Sequence, residues 1–102
     1  MKILTKLVDE ASIEEFADAH GLVMEIHERS HPISHRARYY AYFSDAEVGG
    51  DGFLKGEYGN GSTPEQAIAD YASRISLTTL VVDAMSPERR EIRVPRLVPR
   101  AE

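Results

Sequence analysis

Behind Ser12-Ile13-Glu14-Glu15, where a serine and a glutamate three positions apart can form a capping box, Ile13, Phe16, Ala17 and His20 recur at helical spacing. Gly21 ends the run, which predicts a short helix over about 12–20. The period then drops to two. Leu22, Met24 and Ile26 alternate with Val23, Glu25, His27 and Arg29, the mark of a half-buried strand, and Ser30-His31-Pro32-Ile33-Ser34 breaks it. From Arg36 to Phe43 the alternation resumes, predicting a second strand. It sets Ala37, Tyr39, Ala41 and Phe43 on one face and Arg36, Arg38, Tyr40 and Tyr42 on the other. Val48-Gly49-Gly50-Asp51-Gly52 reads as a turn cluster, and Phe53 to Tyr58 as a third strand.

Gly59-Asn60-Gly61-Ser62-Thr63-Pro64 is a turn feeding a helix. Asn and Gly tolerate positive φ, Thr63 is an N-cap, Pro64 occupies the first helical position, and Gln66 is placed to complete a capping box. The helix Pro64–Ile75 carries the stripe Ala67, Ile68, Tyr71, Ala72 and Ile75, its expected buried face. Thr79 to Ala84 is β-branched and apolar, Ser86-Pro87-Glu88 is a turn, and Glu91 to Val94 is a short strand. Pro95 and Pro99 then impose an extended Arg/Pro-rich tail over about 95–102. The expected fold is a single α+β domain spanning 1–102, in the order α-β-β-β-α-β-β, with an antiparallel sheet and helices packed on one face. The opposite face is then open, and holds Glu25, His27, Arg29, Arg36, Arg38, Tyr40 and Tyr42, with Lys55 and Glu57 as further members.

At 102 residues and 42% hydrophobic content, the chain suffices for one domain with one modest core. It contains no cysteine, which removes disulfides, thiolate metal sites and cysteine nucleophiles and favours an intracellular, cytoplasmic setting. Its start lacks the apolar run of a signal peptide, and no segment reaches the roughly 18 apolar residues of a membrane span. The net charge of −5 is uneven: residues 1–51 hold five Lys/Arg against ten Asp/Glu, and residues 52–102 hold seven of each. Arg89, Arg90, Arg93, Arg96 and Arg100 form a basic end on an acidic body. Overall acidity disfavours a general nucleic-acid binder, whose affinity rests on neutralising phosphates.

Several patterns invite chemistry. Gly56-x-x-x-x-Gly61-Ser62-Thr63 resembles a phosphate loop but lacks the lysine that neutralises phosphate oxygens, so it reads as turn plus cap. His27, His31 and His35 recur every four residues, yet Pro32 and the strand-like flanks deny the helix that would align them on a metal. Glu14/Glu15 and Glu25/Glu28 are paired carboxylates of the kind found at a helix start and on a solvated strand, and Ser62 is not in a nucleophile elbow. These readings predict no enzyme, no metal and no cofactor. The surface Arg36, Arg38, Tyr40 and Tyr42, with Glu25 and His27, is the expected partner-binding site, because Tyr and Arg combine contact area with directed polar groups.

Around Glu25-Ile26-His27-Glu28-Arg29, Tyr58-Gly59-Asn60-Gly61, Thr63 to Ile75 and Asp83 to Pro95, the chain resembles small uncharacterised proteins encoded by phages and prophages. That resemblance implies an accessory role in infection, of which inhibition of host defence (anti-CRISPR-like activity) is the most concrete form. Its partner would be a host or phage protein, with a homodimer also compatible. Over about residues 36–76, with Thr63-Pro64-Glu65-Gln66-Ala67 opening the helix, the chain is similar to HicB-like antitoxins, which implies a partial RNase H-like β-β-β-α core and an antitoxin-type binding module. The order α-β-β-β-α is also similar to that of double-stranded RNA-binding domains, and the basic C-terminal tail would serve such a nucleic-acid module. Those domains place lysines where this chain has Glu65 and Gln66.

Overall fold

Ser12 and Thr63 begin both helices as the local chemistry requires. In the computed structural model, which describes residues 1–6, 8–50 and 52–99 and only the backbone of His35, α1 spans Ile13–His20 and α2 spans Pro64–Ile75. The Ser12–Glu15 capping box is complete, and Gly21 closes α1 in the left-handed region at φ 64°. Thr63 Oγ1 accepts from the Gln66 amide at 3.2 Å, but the Gln66 side chain turns to Ser62, accepting from its amide at 3.1 Å and from its hydroxyl. The second capping box is therefore replaced by a Ser62–Gln66 clasp. Pro64 fills the first turn, as expected.

The strands are β1 (Glu10–Ala11), β2 (Met24–Glu28), β3 (Tyr39–Phe43), β4 (Ala46–Gly50), β5 (Phe53–Lys55), β6 (Gly59–Gly61), β7 (Thr79–Val82), β8 (Arg90–Arg93) and β9 (Arg96–Leu97). The chain is a single α+β domain, and the predicted succession is kept with β1, β4, β6 and β9 added to it. The strands form two antiparallel sheets, in the orders β2-β3-β6 and β5-β4-β7-β8, plus the short parallel pair β1–β9. The chain first passes between the two sheets at Ser44-Asp45, where Asp45 adopts φ 58° and its carbonyl accepts from the Asp83 amide at 2.9 Å.

Three local expectations are corrected. Residues 36–37 are not strand: His35–Ala37 is a 3-10 turn, held by the Ala37 amide on the Ser34 carbonyl at 3.1 Å, so β3 begins at Tyr39. The expected turn at 48–52 is largely strand β4, whose Gly49 faces Val81, and Gly52 carries the turn at φ 84°. Gly59–Gly61 is strand rather than turn. Both glycines stand beneath α2, where a Cβ on Gly59 would lie within 2.6 Å of Tyr71 Cα and one on Gly61 would lie within 2.6 Å of Gln66 Cβ. Glycine is required there by close backbone approach, not by turn conformation.

Helix α2 thus sits directly on β6 and β3. On that face Phe43 meets Tyr71 of α2 at 5.4 Å between ring centroids and Phe16 of α1 at 6.2 Å, so both helices cover the same side of β2-β3-β6. Ile75, Leu80, Val82, Ile92, Val94 and Leu97 complete the core. The β9 segment is built in rather than trailing, since Leu97 is buried and its amide donates to Ser76 Oγ at 3.0 Å. Among the described residues no helix is long and apolar enough to cross a membrane.

Candidate functional site

The side of β2-β3-β6 away from the helices carries an aromatic and charged patch set by strand register. Glu25 pairs with Tyr42, His27 with Tyr40, and Tyr40 with Asn60 across β6, which brings these side chains to one face. The rings of His27, Tyr40 and Tyr42 are within 15° of parallel, with centroid separations of 4.8, 5.4 and 6.1 Å, so each covers part of its neighbour like shingles. Tyr58 closes one end edge-on to Tyr40 at 5.8 Å. The Arg29 guanidinium lies 4.4 Å from the Tyr40 ring centre while donating to Asn60 Oδ1 at 2.9 Å and to the Ala37 carbonyl. Asn60 is held in turn by its amide on Asp70 of α2 at 2.8 Å. The patch is therefore tied through β6 to the rigid helix layer.

Its polar half centres on Glu25. That carboxylate accepts from Ser44 Oγ at 2.7 Å, lies 3.2 Å from His27 Nε2, and receives the Tyr42 hydroxyl at 3.4 Å, which also sits 3.1 Å from His27 Nε2. The Ser44 hydrogen bond, opposed by partial desolvation and assisted by His27, holds the Glu25 carboxyl below its ordinary range. Partial burial, and then the nearby Glu25 charge, push the Tyr42 phenol up. Because the folded carboxyl titrates lower than the unfolded one, its contribution is present at neutral pH and is lost as pH falls through the folded value. Ser44→Ala is expected to raise the Glu25 titration midpoint, read by carbon-detected NMR; an unchanged midpoint would show that Ser44 does not hold the charge.

Four of the six expected contact residues, Glu25, His27, Tyr40 and Tyr42, come together on this face. Arg36 and Arg38 do not join them. Arg36 is exposed in the 3-10 turn, outside the alternation of the strand. Arg38 Nε and Nη2 donate to Glu28 Oε2 at 2.8 and 2.6 Å, and its guanidinium lies 5.7 Å from the Tyr39 ring centre, on the pair Glu28–Tyr39 that belongs to the other face. Lys55 and Glu57 pair with each other at 3.5 Å, and Glu57 also engages Arg74. Ser44, Tyr58 and Asn60 are members that sequence reasoning left out: Asn60 because Gly59–Gly61 read as a turn, and Tyr58 because Phe53 to Tyr58 read as one strand with Lys55 and Glu57 on the open face, whereas β5 ends at Lys55.

The other candidate features fall apart in space. His27 belongs to the aromatic patch, His31 Nδ1 lies 3.1 Å from Ser30 Oγ, and the side chain of His35 is outside the described residues. Among the described residues no group of three His, Asp or Glu is placed to hold a metal. Among the described C-terminal arginines, two are engaged within the fold: Arg89 pairs with Glu91 at 3.5 Å, and Arg90 donates to the His20 carbonyl at the end of α1 at 2.6 Å. Arg93 and Arg96 point out from β8 and β9, and Arg100 lies outside the described residues. No known protein family, characterised protein or solved structure matches this chain.

Proposed function

We propose that this chain is a binding protein without catalytic activity of its own, which engages another protein through the Tyr40–Tyr42–His27 face. The observation that carries this reading is the shingled aromatic patch, edged by Arg29 and Glu25 and held on the uncovered side of a sheet whose other side is packed by both helices. Rigid tyrosines and a stacked arginine give large contact area at small entropic cost, the composition of an interface anchor. The rings spend part of their faces on each other, which leaves less for stacking nucleobases than separate rings would. Ser44 donates to Glu25 and not to an imidazole, so its hydroxyl has no adjacent base to make it a nucleophile, and a carboxyl held low is a weak base.

In its most concrete form the partner is a bacterial defence effector and the chain a phage or prophage accessory protein. The acidic body, at net −5, would approach a basic nucleic-acid channel with favourable steering. Cytoplasmic action in the bacterial host follows from that reading. Immobilised protein, exposed to lysate of such a host, is expected to retain a partner that Tyr40→Ala/Tyr42→Ala loses by more than about tenfold, with its melting curve little changed. Arg93→Ala/Arg96→Ala should leave capture intact. Salt-dependent loss in the arginine variant alone would move the working surface to the C-terminal strands and favour the nucleic-acid alternative. Expression of the chain should also raise plaque formation by a phage that the host otherwise restricts.

A further inference from the structure

The first residues of the chain expose a cluster of aliphatic side chains to solvent. Met1, Ile3, Leu4 and Val8 are 111, 76, 84 and 64% exposed, and residues 1–6 belong to no helix or strand. Isolated exposed aliphatics are ordinary, but four of them within eight positions, ahead of β1, form an unpartnered apolar arm. This arm is also cationic in an acidic protein: Lys2 and Lys6 precede the first acid, Asp9.

A matching receptor lies on the body. A groove of about 660 Å³ runs between α1, α2 and the β9 segment, floored by Ile13, Ile68, Leu77, Leu97 and Val98 and bordered by Glu14, Glu65 and Arg96. Glu14 and Glu65 stand in the first turns of α1 and α2, so the groove pairs an apolar floor with a rim of two exposed carboxylates against one guanidinium, net acidic. Its shape and charge are complementary to an aliphatic segment carrying lysines. The arm does not fill the groove of its own chain, since its described aliphatic side chains are exposed.

We infer that the arm of one copy, through Met1, Ile3, Leu4 and Val8, docks in the α1/α2/β9 groove of a second copy, and that the exchange is reciprocal. Two like-charged bodies at −5 repel, and the arm is the segment that puts positive charge against the partner's acids. Reciprocal exchange forms a closed twofold dimer, in which every arm and every groove is used and no open filament results. The groove lies off the aromatic face, so this pairing is independent of the partner-binding surface proposed above.

The chain has no native cysteine, which makes a cross-linking test clean. Ile3→Cys/Leu77→Cys places one thiol on the arm and one on the groove wall. Under mild oxidation it should give a covalent dimer on a non-reducing gel. A cross-link within one chain would mean that the arm folds back, and would overturn the exchange. The parent protein should sediment at twice the chain mass, and a strictly monomeric chain at tens of micromolar would overturn it equally. Ile3→Asp/Leu4→Asp should raise the dimer dissociation constant by at least about tenfold with an unchanged melting curve, because both side chains are exposed in the single copy. Lys2→Glu/Lys6→Glu should weaken pairing, and Glu14→Lys/Glu65→Lys in the partner copy should restore it. Failure of that charge-swapped mixture to pair better than either variant alone would break the link between arm and groove.

Discussion

Gly59→Ala is expected to cost at least about 3 kcal/mol of stability, and to unfold the chain if its total is at the low end for a domain of this size. The added methyl would fall on the Tyr71 amide nitrogen and the Ala67 carbonyl oxygen, atoms of the α2 backbone that have no rotamer through which to escape. The strand would have to leave the helix, and Tyr71 and Ala67, both essentially fully buried, would lose their packing with it. Gly61→Ala should behave alike, because its methyl meets the Ala67 amide and the Gln66 Cβ. Gly56→Ala is the control: nothing lies within 4 Å of its built Cβ and its backbone is not left-handed, so it should stay within about 0.5 kcal/mol of the parent. Urea titration followed by circular dichroism separates the three. Equal midpoints for Gly59→Ala and Gly56→Ala would mean that α2 does not rest on β6.

The same glycines explain where the sequence was legible and where it was not. Both helices could be read within a residue, because Ser12, Gly21, Thr63 and Pro64 act through neighbours only a few positions away. Gly49, Gly50, Gly59 and Gly61 could not be read so. A glycine admitted for positive φ and a glycine admitted because a helix backbone passes overhead look identical along the chain, and only the second kind occurs at Gly59 and Gly61. Missing β6 also hid Asn60, and carrying the third strand on to Tyr58 kept that ring off the open face; both complete the aromatic patch.

The patch itself was half visible. Alternation places Tyr40 and Tyr42 on one face, and correctly gives them Glu25 and His27 as cross-strand neighbours once β2 and β3 pair. Alternation fails at Arg36 and Arg38 because it was extended through a 3-10 turn, and because Glu28 offers Arg38 a carboxylate on the other side. A long side chain near a strand end follows the nearest opposite charge rather than strand parity. The parallel pairing of Glu10–Ala11 with Arg96–Leu97 left no trace at all: two residues show no period, and their partner lies at the far end of the chain.

The hydrophobic stripe of α2 gives the second large effect. Ile75 and Ile68 look equivalent along the sequence, one helical period multiple apart on the same face, yet their surroundings differ. Ile75 is fully buried among the core side chains, whereas Ile68 is half-buried and lines the groove beside α1 and β9. Ile75→Ala leaves a cavity enclosed on every side and should cost about 2–5 kcal/mol. Ile68→Ala removes methyls that the single copy leaves partly in water, and should cost about 1 kcal/mol in dilute protein, less than a fully buried site demands. Arm exchange adds a dependence that the core site lacks. Where the groove is filled by a second copy, the Ile68 deficit should widen with protein concentration through mass action, while that of Ile75→Ala rests mainly on packing within the single copy. Denaturation at two concentrations spanning the dimer dissociation constant reads both. A loss at Ile68 as large as at Ile75 in dilute protein would place Ile68 in the closed core and leave the groove without its floor.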